Sequence, residues 1–234
     1  FRPIPDWTAG LRIYAGYTNK DFWARHYLNS NPYRHQMPWR QNWNRRRHLQ
    51  LAPRSHGKSR VYSFELPIWN IAYVDNVRLL HVTNGGTQAK KYLVAIRGQW
   101  ETNSTLINDY GNISKGLGDD GLEFDLSGSW SAAMFYVRRS DTTLKDPTMQ
   151  AIGVNSAITG SRFDGIIGDD IIEEADMDTI EKRMDVETWW NAVILELLDE
   201  KGWALMIGTR KHGDDIYERT MKKPTWTYSV NKAI

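Results

Sequence analysis

Along this 234-residue chain the apolar positions fall into short runs that stop at glycine turns, alternating with stretches of helical spacing. Leu49 to Ala52 is the first run, too short for a helix and closed by Pro53, so it reads as a buried strand. After a turn at Gly57 a helix is expected from Lys58, periodic over Arg60 to Leu66, broken near Pro67 and resuming from Ile68 to Tyr73. Val77 to Thr83 is a second strand, closed by Asn84, Gly85 and Gly86 and followed by a helix from Thr87 to Glu101. The polar stretch from Asn103 to Ser129 reads as a loop insertion. Trp130 to Arg139 and Thr148 to Val154 read as a strand pair joined through Asp146 and Pro147. From Ile158 a glycine turn leads into a buried strand ending in Asp169 and Asp170. Asp178 to Glu200 reads as the clearest helix, with Asp178 as cap, Glu181 as its box partner, and an inner stripe of Ile180, Met184, Glu187, Trp190, Ile194 and Leu198. Trp203 to Ile207 is a further buried strand, and Asp214 or Asp215 caps a last helix carrying Tyr217 and Arg219. Strand followed by helix, repeated, predicts an α/β domain with a mainly parallel sheet flanked by helices.

Composition narrows this reading without redirecting it. Cysteine is absent, which excludes disulfides and thiolate metal sites. A net charge of +2 does not announce a nucleic-acid partner, although an isoelectric point near 8.7 permits one. No run of about 18 apolar residues occurs and no signal-peptide core opens the chain, so a soluble intracellular protein is expected. Eleven tryptophans are assigned to packing and not to base stacking. The start at Phe1, without Met, is what a fragment would show.

Three turns at strand ends carry candidate chemistry. The first is Pro53, Arg54, Ser55, His56, Gly57, Lys58, Ser59 and Arg60. Successive backbone N–H groups before a helix make an anion-binding concavity, Lys58 can reach outer phosphates, and the Ser59 hydroxyl can ligate Mg²⁺. Ala52 stands where the usual pattern has its first glycine, and a solvated surface turn is the alternative. The second is Asp169 and Asp170, paired carboxylates at the C-terminal end of a strand, where open α/β sheets bind ligands. Beside a phosphate loop, Asp169 would hold Mg²⁺ and Asp170 would polarise the attacking water; otherwise they would cap a helix. The third is Gly208, Thr209 and Arg210, a hydroxyl and a guanidinium on the same sheet edge. Upstream, Tyr33, Gln36, Trp39 or Arg40 could flank an adenine ring. Asp119 and Asp120 could bind a cation but read more simply as a loop tip.

In this order, from about Gln50 to Met221, the motifs resemble the ATPase domain of the large terminase subunit, the DNA-packaging motor of tailed phages. Ala52 to Ser59 is similar to that family's deviant Walker A, Gly160 to Asp170 to its Walker B, and Gly208 to Tyr217 to its coupling motif. The resemblance implies a RecA-like P-loop fold of the ASCE type that binds ATP and Mg²⁺ and hydrolyses the β–γ bond. It further implies that Lys58 and Ser59 hold phosphates and metal, that Arg54 senses the γ-phosphate, and that Asp169 is the metal acid. Asp170 would stand at the catalytic carboxylate, with Glu173 or Glu174 as substitutes because many relatives carry a Glu there. Thr209 and Arg210 would couple hydrolysis to movement. Thr159 stands where many relatives have an arginine, which leaves Arg162 as the nearest candidate for a finger acting in trans.

The implied organisation is a lead-in at 1–47, an ATPase core at 48–221, and at 222–234 the start of a linker toward a nuclease domain outside this sequence. Implied partners are double-stranded DNA, a homo-oligomeric ring (a pentamer on the capsid, a monomer in isolation), the portal and procapsid, and the terminase small subunit. No membrane is implied, and the expected location is the host cytoplasm. A helicase, or a nucleotide-binding capsid-docking module with little turnover, are the rival readings. Arg45 to Arg47, Lys90 and Lys91 are candidate DNA contacts that a solvated face explains equally.

Overall fold

A computed structural model describes residues 8–117 and 123–232. Three helices lead in: α1 (Ala9–Thr18), α2 (Lys20–Leu28) and α3 (Met37–Gln41), the first two capped by the side chains of Thr8 and Asn19. The chain then enters β1 (Arg47–Leu51), a helical segment ending in α4 (Leu66–Tyr73), β2 (Leu79–Thr83), α5 (Gly86–Thr102) and α6 (Ser104–Tyr110). A small antiparallel pair, β3 (Lys115–Leu117) and β4 (Glu123–Asp125), precedes β5 (Met134–Phe135), β6 (Met149–Gly153) and β7 (Phe163–Asp169). The chain continues through α7 (Ile180–Trp189), β8 (Leu198–Gly208), α8 (Ile216–Met221) and β9 (Thr227–Val230).

Seven strands form one sheet in the order β5-β6-β2-β7-β8-β1-β9. Every pairing in it is parallel except that of β5 with β6. Strand alternation divides two cores. Leu80, Val82, Ile166, Ala204 and Met206 face a layer containing Val186, Trp190, Ile194 and Tyr217. Leu79, Ile167, Leu205 and Ile207 face a second layer containing Trp23, Tyr62, Trp69 and Trp100. Burial on both faces is why these strands read as continuous apolar runs and not as alternating ones.

Four local expectations change. The helix from Lys58 to Tyr73 is unbroken at Pro67. Arg60–Glu65 forms a π-helical turn and Pro67 falls in the first turn of α4, so the wider turn absorbs the ring and no N–H is missed. The stretch after Asn103 carries α6 and the β3–β4 pair; Asp119 and Asp120 lie outside the described residues. The β5–β6 pairing occurs as expected, but β5 is only two residues long.

The fourth concerns the long helix. Thr179, not Asp178, caps α7, and helical structure ends by Leu197 after a π-helical turn at Trp190–Ile194. Leu198 instead pairs with Phe163 in the sheet, a tertiary gain that overrides helical periodicity. Ile180 and Met184 are each 49% exposed, and the inner stripe is Val186, Trp190, Ile194 and Leu197.

Candidate active site

The strand registers bring four loops to one sheet edge. Leu51 lies beside Gly208, Ile207 beside Asp169, and Asp169 beside Thr83. The loops after β1, β8, β7 and β2 therefore open together, at the edge where parallel sheets bind ligands. Among them is a cleft of about 340 Å³ whose lining includes Arg54, Ser59, Asp169, Asp170, Thr209 and Lys211.

The loop after β1 is held from both sides. Ser55 and Gly57 are at positive φ (64° and 77°), while Ala52 is not, so the backbone places no glycine requirement on Ala52. Ala52 is buried, its N–H donates to the Gly208 carbonyl, and its carbonyl accepts from the Thr209 hydroxyl. Gln36 Nε2 donates to the His56 carbonyl at 2.9 Å, and a Cβ at Gly57 would come within 2.4 Å of the same nitrogen. Gln36 thus clamps the loop backbone from outside the cleft.

Lys58 is nearly buried. Its Nζ donates to Thr209 Oγ1 at 3.0 Å and lies 3.3 Å from Asp170 Oδ2. Asp170 adopts φ 45°, which a short polar side chain tolerates, and its Oδ1 accepts from the Thr209 N–H at 3.1 Å. Lys58, Asp170 and Thr209 thus form one closed network drawn from three loops.

Asp169 is buried beneath it. Ser63, on the π-helical turn, donates to Oδ2 at 2.7 Å, while Oδ1 has no hydrogen-bond partner. Burial pushes the Asp169 pKa up to about 6; the Ser63 hydrogen bond opposes this, the neighbouring Asp170 charge adds to it, and the Ser59 hydroxyl and Lys58 ammonium oppose it. A buried carboxylate oxygen without a donor, close to a serine hydroxyl, suits a hard cation. Among the described residues no cluster of three His, Asp or Glu could hold a metal. Mg²⁺ is a hard cation, held by one or two protein oxygens together with phosphates and water. Ser59 and Asp169 are the residues that fit it.

Other expected site residues lie elsewhere. Arg60 stacks on Phe64 and donates to the Leu28 carbonyl, away from the cleft. Arg210 pairs with Glu218 at 2.8 Å, and its neighbour Lys211 lines the cleft instead. Gly208 is required by packing, because a Cβ there would meet the Tyr217 ring at 2.3 Å. Arg162 precedes β7 and donates to the Glu196 carbonyl, at the opposite end of that strand from Asp169. Trp39 and Arg40 are buried: Trp39 bonds Asn231, and Arg40 pairs with Glu65 and Asp21. Neither is free to flank a base, whereas Tyr33 is exposed and stacked on His35. Pro53, Ser55 and His56 shape the loop without lining the cleft, and the exposed Glu173 does line it.

Sequence reasoning missed Ser63, Lys211 and the wall formed by Thr83, Asn84, Gln88 and Tyr92. Ser63 stands four residues after Ser59 and so on the same helical face, which was a readable signal. The wall follows from β2 lying next to β7, which only the sheet order shows.

No protein-family model matches the chain, and no curated protein matches it by sequence. Among solved structures it is similar to an arginine-to-alanine variant of the large terminase ATPase domain of Thermus phage P74-26, with a TM-score of 0.59 and 14% identity. The match covers 88% of this chain and 84% of that one. The chain has that fold: a seven-stranded, mostly parallel RecA-like sheet flanked by helices.

Proposed function

We propose that this chain is the ATPase domain of a viral DNA-packaging motor, binding Mg-ATP in the cleft after β1, β8 and β7 and hydrolysing its β–γ bond to move double-stranded DNA. The observation that carries the reading is the convergence of Lys58, Asp170 and Thr209 over a buried Asp169 whose Oδ1 lacks a partner. Its occurrence in a fold similar to a terminase ATPase domain adds support. Lys58 would exchange its carboxylate partner for phosphate oxygens, releasing Asp170 to orient a water in line with the terminal phosphorus. Thr209 touches both Lys58 and Asp170, so it would report their exchange to β8. Mg²⁺, held by Ser59 and Asp169, would supply charge neutralisation of the phosphates. The protein's contribution is positioning and charge stabilisation in a partly dry cleft. Assembly into a ring of like subunits docked on a procapsid belongs to the same proposal.

One observation favours a second reading, a nucleotide-binding module with little turnover: both oxygens of Asp170 are engaged, by Lys58 and by the Thr209 N–H. Phosphate release measured with and without duplex DNA separates the two. DNA-stimulated, Mg²⁺-dependent release supports the motor. Nucleotide binding without release supports the module, and unwinding of a tailed duplex would point to a helicase instead.

A further inference from the structure

The site as described leaves one cation of the cleft, Lys211, without a role. Arg54, from the loop after β1, and Lys211, from the loop after β8, converge on a single atom, Glu174 Oε1. It lies 3.7 Å from Arg54 Nη2 and 3.4 Å from Lys211 Nζ. Glu174 is 82% exposed, but the Lys211 side chain is only 13% exposed, an unusual degree of burial for a lysine with so weakly held a partner.

The position of Lys211 is built. Its N–H and that of His212 both donate to Asp215 Oδ2, at 3.0 and 3.2 Å, and Asp215 is fully buried as the cap of α8. The backbone of Lys211 is thereby fixed by a group that has no part in the cleft. Its neighbour Arg210 turns outward to Glu218.

Two cations from two loops, meeting at one carboxylate oxygen at the cleft that Thr209 also lines, form a receptor for an anionic oxygen. We propose that Lys211 joins Arg54, which the resemblance already assigns to the γ-phosphate, in a two-cation clamp for the terminal phosphate of a nucleoside triphosphate, and that Glu174 occupies this clamp as an internal competitor until the phosphate displaces it. The inference rests on the nucleotide reading above and adds to it a phosphate-binding residue and a gate.

The test is binding of fluorescent ATP and ADP, each with Mg²⁺, to the wild-type chain and to Lys211→Gln, Lys211→Arg and Glu174→Gln. Losing a charge-assisted phosphate contact should weaken ATP binding about tenfold or more in Lys211→Gln, with ADP binding unchanged. Unchanged ADP binding also certifies the fold. Lys211→Arg should restore most of the ATP affinity. Glu174→Gln should tighten ATP about two- to fivefold, the scale of an exposed ion pair, and that gain should shrink at high salt. Equal loss of ATP and ADP in Lys211→Gln, or no loss, overturns the clamp while leaving the nucleotide site standing. An unchanged ATP affinity in Glu174→Gln overturns the competitor role. A wild-type chain that binds neither nucleotide overturns the underlying reading instead.

Discussion

Lys58 Nζ lies 3.3 Å from Asp170 Oδ2, so the lysine expected to hold phosphate is ion-paired with the carboxylate expected to act on water. The pair joins the loop after β1 to the loop after β7 across the intervening strand β8, and Thr209, just past the end of β8, bonds both partners. On the proposed reading, phosphate and carboxylate would compete for one ammonium, which would make the pair a point of coupling between binding and chemistry.

Replacing Lys58 by Ala removes the cation that phosphate would recruit. Phosphate release should fall about 10²- to 10³-fold, the scale of losing one preorganised charge at a reacting centre. The circular dichroism spectrum should be unchanged, since the partner Asp170 is half exposed. A variant that folds normally and keeps full turnover would remove Lys58 from the mechanism.

The carboxyl of Asp169 has its pKa raised from 3.8 to about 6, chiefly by burial. A raised acid keeps its proton in the folded state after the unfolded chain has lost it. Stability therefore falls as pH rises from about 4 to about 6, and the loss persists above. Asp169→Asn removes this cost, on the order of 3 kcal/mol. The melting temperature of the variant should match wild type below pH 4 and exceed it above pH 6 in metal-free buffer. Mg²⁺-dependent hydrolysis should be lost, and in the wild type Mg²⁺ affinity should weaken as pH falls through about 6. A variant no more stable than wild type at pH 8 would refute the assignment.

Arg40 and Glu65 form a buried ion pair at 2.6 Å, reinforced by Asp21 and by the Ser30 hydroxyl. Replacing Arg40 with Met leaves the buried Glu65 with only the half-exposed Arg60, at 3.4 Å, as a charge partner and should cost about 2–4 kcal/mol in denaturant unfolding. Replacing Glu65 with Leu in the same chain should recover much of that loss. If Arg40 contacted nucleotide, the single variant would instead raise the KM for ATP with little change in stability.

Gly57→Ala introduces a side chain at φ 77° and drives its Cβ to 2.4 Å from Gln36 Nε2. Left-handed strain and the displaced clamp together should cost about 1–3 kcal/mol and weaken nucleotide binding. The double variant with Gln36→Ala relieves the clash but not the φ strain, so isothermal titration should recover only part of the affinity.

Much of this arrangement was written locally. Apolar runs closed by glycine, a Gly-Lys-Ser turn before a helix, and two adjacent acids at a strand end are short-range signals. Each reflects a backbone or burial requirement that a few residues satisfy alone. That is why the alternation of strands and helices, the loop at Gly57 and the acids at Asp169 and Asp170 could be read directly. Helix ends were less legible: Pro67 looks like a breaker until the π-helical turn before it is seen, and Leu198 looks helical until it pairs with Phe163.

What only the tertiary structure decided is which strand ends meet. Parallel order is set by crossovers and by burial summed over the whole sheet, so no local pattern places β8 between β1 and β7 or sets Thr83 beside Asp169. In the folded chain Arg40 lies in the core, Arg210 turns outward to Glu218, and Lys211 lines the cleft and pairs with Glu174. The sequence by itself determined the chemical groups and the turns that carry them. The sheet determined their partners, because a side chain's neighbours across a strand are chosen by long-range packing.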